Sequence, residues 1–126
     1  MRIDAVGVCA TDLRNAVAFY ELLGFTFPEF TGNEDHIEAV TKPDGTRLMI
    51  DSQKLMSELI GERPKPGNHS SFAILYDSPA EVDATVERVQ QAGYVVAEPW
   101  DAVWGQRYAI VQDADGYRID LFAVLP

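Results

Sequence analysis

The residues best equipped for chemistry are few and dispersed. The chain holds one cysteine, Cys9, and two histidines, His36 and His69. A single cysteine rules out an internal disulfide, a Cys-x-x-Cys redox pair and a cysteine-rich zinc site, and Cys9 reads as a small buried apolar residue rather than a nucleophile. The run Asp113-Ala114-Asp115-Gly116 has the look of a calcium loop, but it lacks the remaining ligands of one and is better explained as a hairpin turn. Trp100 and Trp104 lie in Pro99-Trp-Asp-Ala-Val-Trp-Gly105, where a loop can present two large aromatic faces. Asp120 is a carboxylate in an apolar stretch. It can bind a cation or act as a general base, or it can be neutralised by Arg47 or Arg118. Arg107 reads as a structural partner for an acidic turn residue, Asp113 or Asp115.

Composition limits what these residues can be part of. The 126 residues are 47% hydrophobic and 24% charged, the balance of one globular domain with a proper core. The formal net charge is −10, and the ten basic residues are scattered rather than clustered, so the field repels phosphate backbones and anionic lipid. Nucleic acid and membrane are therefore not expected as partners. No apolar run approaches the roughly twenty residues that span a bilayer, and Asp4 and Asp12 interrupt the N-terminal apolar stretch. A cytoplasmic location is the resulting expectation.

The elements that must position these residues are written twice. A strand over Ile3–Ala10 leads to Asp12 as helix cap, with Leu13, Ala16, Val17, Tyr20 and Leu23 at helical spacing and Gly24 as terminator. A strand over Ser71–Asp77 leads to Ser78, Pro79 and Glu81 as a capping box, Val82, Val86 and Val89 as the buried stripe, and Gly93 as terminator. Short strands follow at Phe25–Phe27 and Tyr94–Ala97. Each half then ends in two strands: His36–Lys42 and Thr46–Asp51 around Pro43-Asp44-Gly45, and Arg107–Gln112 and Tyr117–Phe122 around Asp113–Gly116. Asp-Gly-Thr-Arg-Leu-Met-Ile in the first half matches Asp-Gly-Tyr-Arg-Ile-Asp-Leu in the second, setting Met49 against Asp120. A short helix is expected over Lys54–Ile60, then a linker from Gly61 to Asn68 carrying Pro64 and Pro66. The pattern is α+β, two βαβββ modules. Module 1 covers about 1–52, the connecting stretch 53–68 and module 2 about 69–126.

Asp12-Leu-Arg-Asn-Ala-Val-Ala-Phe-Tyr-Glu-Leu-Leu-Gly-Phe25, Asp77-Ser-Pro-Ala-Glu-Val-Asp83, Trp104-Gly-Gln-Arg-Tyr108 and Asp113-Ala-Asp-Gly-Tyr-Arg-Ile-Asp-Leu-Phe122 run in order along nearly the whole chain. In these pieces the sequence resembles the vicinal oxygen chelate superfamily, which includes glyoxalase I, bleomycin resistance proteins and extradiol dioxygenases. The resemblance implies one glyoxalase-like domain over 1–126, its two modules forming curved mixed sheets around a cleft. It also implies metal-ligand positions on the first and last strands of each half, which fall on Ala5, Met49, Ser71 and Asp120. Only Asp120 is a good ligand for a divalent ion. An improvised site from His69, Cys9 and Asp120 would require a two-residue shift in register.

With alternation along each strand, the resemblance turns Ala5, Gly7, Cys9, Arg47, Met49, Ser71, Ala73, Arg118, Asp120 and Phe122 toward the cleft, and hangs Trp100 and Trp104 over its mouth. The expected function is a metal-independent small-molecule-binding protein that sequesters a planar or cationic organic compound or antibiotic, with no cofactor and as a homodimer. The expected binding residues are Trp100, Trp104, Asp120, Phe122, Arg47, Met49, Ser71 and Arg118, with Asp120 the one catalytic candidate. The alternative is a metal-dependent lyase or dioxygenase acting on vicinal oxygens.

Overall fold

A computed structural model describes residues 1–67 and 72–126. Ser71 and His69, both singled out by sequence, therefore lie outside the described residues. The chain divides into two compact units, Met1–Pro66 and Gly67–Pro126.

In the first unit the order is β1 (Ala5–Ala10), α1 (Leu13–Leu22), β2 (His36–Glu38), β3 (Arg47–Ser52) and α2 (Gln53–Ile60). The Asp12 side chain accepts the Asn15 amide and starts α1, so one donor of the exposed first turn is satisfied. All five residues of the expected stripe, Leu13, Ala16, Val17, Tyr20 and Leu23, are buried. The sheet order is β1-β3-β2, with β1 parallel and β2 antiparallel to β3. Val8 and Ile50 pair across the sheet and Ile37 joins their row; all three are buried, so this face carries the core.

Two expectations fail here. Residues 25–27 form no strand, and β2 stops at Glu38 instead of reaching Lys42. The cause is visible in the amides. Phe25 N–H turns back to the Tyr20 carbonyl at the end of α1, and Val40 N–H makes a single bond to the Thr26 carbonyl. One such bond does not make a ladder, so this sheet has three strands where four were expected.

The second unit is the complete repeat: β4 (Phe72–Leu75), α3 (Pro79–Gln91), β5 (Val95–Ala102), β6 (Gln106–Gln112) and β7 (Arg118–Val124). Ser78 Oγ accepts the Glu81 amide, Pro79 opens α3, and Glu81 reaches back to the Asp77 amide, one residue before the cap. Val82, Val86 and Val89 are buried as expected, together with Thr85. The sheet order is β4-β7-β6-β5. Ile119, Leu121 and Ala123 on β7 and Ala109 and Val111 on β6 are fully buried, and α3 packs against these strands.

Strand β5 is longer than the sequence suggested. It runs through Pro99 and Trp100 to Ala102, so Trp100 stands on a strand rather than in a loop. Proline is tolerated because β5 is the edge strand and because its register against β6 slips between Ala97 and Trp100. The turn at Asp113–Gly116 is a hairpin turn, as expected. Asp113 is buried, and its Oδ1 accepts the amides of Asp115 and Tyr117 at 3.0 and 2.9 Å. Among the described residues no helix is long and apolar enough to cross a membrane.

Candidate ligand-binding face of the second sheet

Alternation along β4, β6 and β7 separates two faces. The residues packed toward α3 are the buried ones named above. The opposite face brings Asp120 into register with Ala73 and Ile110, and Phe122 into register with Leu75 and Tyr108. Tyr108 in turn pairs with Trp100 on β5.

Tyr108 is the centre of an aromatic cluster. Its ring lies 5.4 Å from Trp100 and 5.4 Å from Trp104 in edge-on geometry, and 6.1 Å from Phe122 in a stacked one. The two tryptophans meet at 6.2 Å with their planes at 90°. These separations lie within the range in which the ring quadrupoles attract. Trp104 sits in the turn after β5, and its indole Nε1–H donates to Gln106 Oε1 at 2.9 Å, which fixes the ring although the residue is 58% exposed. Trp100 is 36% exposed.

The cluster also has a polar end. The Tyr108 hydroxyl donates to Asp120 Oδ2 at 2.5 Å. Partial burial, together with the carboxylate beside it, pushes the Tyr108 phenol up to about 12, so it stays a donor throughout the neutral range. Of the two arginines expected to neutralise Asp120, Arg118, in the same unit, does not. Arg118 Nε–H points to Gln112 Oε1 at 3.4 Å. Arg47 belongs to the first unit, where it donates to Glu38 and Asp4, each at 2.8 Å. Arg107 likewise departs from expectation. Its guanidinium grips Asp83 on α3 through Nε and Nη2 and reaches Asp101 on β5 through Nη1, instead of capping Asp113 or Asp115.

The face of the first sheet opposite Val8, Ile37 and Ile50 carries Ala5, Gly7 and the buried Cys9 on β1, Arg47, Met49 and Asp51 on β3, and His36 and Glu38 on β2. The Met49 methyl lies over Gly7, 3.7 Å from where a Cβ would stand. His36 bridges two carboxylates, Nδ1 to Asp51 at 2.6 Å and Nε2 to Glu38 at 2.8 Å. Both ring nitrogens must donate for both bonds to form, so these carboxylates hold the imidazole charged and raise its pKa.

Of the expected binding residues, the structure brings together Trp100, Trp104, Asp120 and Phe122. Arg118 shares their face but is turned to Gln112, whereas Arg47 and Met49 belong to the other sheet. Sequence reasoning missed Tyr108 as a site residue, together with Gln106 and the His36 bridge. Tyr108 shares its strand face with Ile110, but its place beside Phe122 and Asp120 depends on register between strands.

The donor set for a divalent ion can be judged from the same geometry. Ala5 ends in a methyl, Met49 in a thioether laid over Gly7, and Asp120 gives one oxygen to Tyr108. Among the described residues no three His, Cys, Asp or Glu side chains gather where they could hold a metal ion. Of the positions to which the resemblance assigns metal ligands, Ala5 and Met49 offer no donor suited to a divalent ion, and Ser71 lies outside the described residues.

Comparison with known proteins places this arrangement. A glyoxalase-related enzyme from Fulvimarina pelagi superposes with a TM-score of 0.81 at 20% identity, covering 97% of this chain and 87% of that one. A glyoxalase/bleomycin resistance protein/dioxygenase family enzyme from Burkholderia phytofirmans PsJN gives a TM-score of 0.81 at 18% identity, covering 99% and 100%. At these identities the likeness is one of fold. A stretch of 72 residues, 55% of this chain, is 31% identical to the laccase abr2 of Aspergillus fumigatus, and the match spans only 12% of that protein's length. The family model for the Glyoxalase/Bleomycin resistance protein/Dioxygenase superfamily matches residues 2–121. With nearly the whole chain matched, and two sheets flanked by helices as in the solved relatives, the protein belongs to that superfamily.

Proposed function

We propose that this chain is a metal-independent small-molecule-binding protein that holds a planar or cationic organic compound against the open face of β5, β6 and β7. The observation that carries this reading is the Tyr108-centred cluster, four aromatic side chains with a carboxylate at one end. A planar ligand stacking on two of these rings gains about 1–3 kcal/mol beyond simple burial, and a cation over the same faces gains about 0.5–2 kcal/mol more. Together that is roughly ten- to several-thousand-fold in affinity. The poor donor set at Ala5 and Met49 supports a role in which shape and aromatic surface, rather than a Lewis acid, hold the ligand.

Fluorescence titration with acridine orange, a planar cation, tests this. Binding is expected to quench the tryptophans, and Trp100→Ala or Trp104→Ala to weaken it about tenfold. Unchanged affinity in both variants would remove stacking as the basis of recognition. A stoichiometric divalent ion in the purified protein, measured by elemental mass spectrometry, would overturn the metal-independent part and favour a lyase or dioxygenase.

A further inference from the structure

The polar end of the aromatic cluster is incompletely paired. Asp120 Oδ2 accepts from Tyr108, and among the described residues of the second unit no lysine, arginine or histidine pairs with this carboxylate. Arg118 is turned to Gln112, and Arg107 lies on the opposite face in the hold of Asp83 and Asp101. Asp120 Oδ1 has no donor among the described residues. No buried side-chain oxygen or nitrogen there lacks a partner, so this oxygen is one that solvent reaches.

The surroundings make that oxygen selective. Ile110 and Ala73 flank Asp120 across the strands, and Phe122 and Tyr108 lie along the same face on one side, while Arg118, on the other side, is turned to Gln112. The Tyr108 hydroxyl donates to Oδ2 and so fixes the carboxylate's rotation without cancelling its charge. A quaternary cation resting on the rings gains stacking and Coulomb attraction but has nothing to donate. A cation with an N–H gains in addition a charge-assisted hydrogen bond to an oxygen already held in place.

We infer that this face selects organic cations that carry an N–H, protonated amines or protonated nitrogen heterocycles, over quaternary cations of the same shape, with Asp120 Oδ1 as the acceptor. The inference rests on the ligand-binding reading above and narrows its ligand class.

The test uses the full chain and three planar probes at neutral pH. Acridine orange is cationic with one ring N–H; its ring-N-methyl derivative has the same charge and no N–H; acridine is neutral. Tryptophan quenching is expected to give acridine orange a dissociation constant about tenfold lower than the methylated form. Asp120→Asn should bring that ratio close to one, with circular dichroism and melting confirming the fold. Equal affinities in the unaltered protein would overturn the inference and leave the aromatic binding face standing. A ratio that persists in Asp120→Asn would also overturn it, because the discrimination would then come from methyl bulk or another acceptor. If none of the three probes binds, the ligand-binding reading falls and the inference with it. Should Asp120→Asn fail to fold, Tyr108→Phe, which frees Asp120 to rotate, is expected to lower the ratio, and an unchanged ratio counts against the inference.

Discussion

Asp113 shows how much a single side chain can hold at a turn. It is buried, and one carboxylate oxygen satisfies the amides of Asp115 and Tyr117. Asp113→Ala leaves both amides without that acceptor and should destabilise the protein by about 1–3 kcal/mol, read by chemical denaturation with an unchanged m-value. Asp113→Asn keeps an acceptor and should cost less. The turn was legible in the sequence, but the two amides that Asp113 holds were not read from it; Asp113 was expected instead as a partner for Arg107. The partners of Arg107 and Asp120 were not legible. Asp83 is 24 residues from Arg107, and Tyr108 is 12 from Asp120. Finding either requires knowing which helix lies on which sheet, or which strands are neighbours and in what register.

The same division between local and long-range signals runs through the elements. Both long helices could be read from caps, stripe and terminating glycine, all of which act within a few residues. The strands were harder. Residues 25–27 have β-forming side chains yet make only one sheet-like bond, and β5 continues through a proline because it lies at an edge. Strand β2, three residues long, has a support that pairing alone does not give: the His36 bridge to Asp51 and Glu38. The hydrogen bonds to Asp51 and Glu38 raise the His36 pKa above 6.5, so its contribution is complete below 6.5 and is lost as pH rises through the folded value. The bonds from His36 and Arg47 lower the Glu38 pKa below 4.5, so its contribution is present above 4.5 and is lost as pH falls through the folded value. The shared bond is therefore intact between 4.5 and 6.5. Solvent screening at a half-exposed imidazole keeps its worth to about 1 kcal/mol or less. Melting temperatures across pH should decline on the alkaline side of that window, and His36→Gln should flatten the decline. An equal decline in the variant would assign it to other groups.

For the molecule as a whole, the repeat and the charge are the dominant features. The two modules share a grammar, and the equivalent positions Met49 and Asp120 show how they diverged: one is a thioether laid over glycine, the other a carboxylate held by a phenol. A formal charge of −10 attracts cations over distances that salt shortens, from a screening length of about 10 Å at 0.1 M to about 3 Å at 1 M. Acridine orange should therefore bind more weakly across that salt range, while neutral acridine should change little. Equal salt dependence for the two probes would show that the field plays no part in capture. The broken register at Pro99 bears on how copies of this protein meet. A sheet rim that displays aromatic rings beside unpaired amides invites cross-molecular strand addition, the first step toward fibres. Here the rim lacks one amide donor and is locally misaligned, so the sticky rings are displayed without a straight template for further chains to extend.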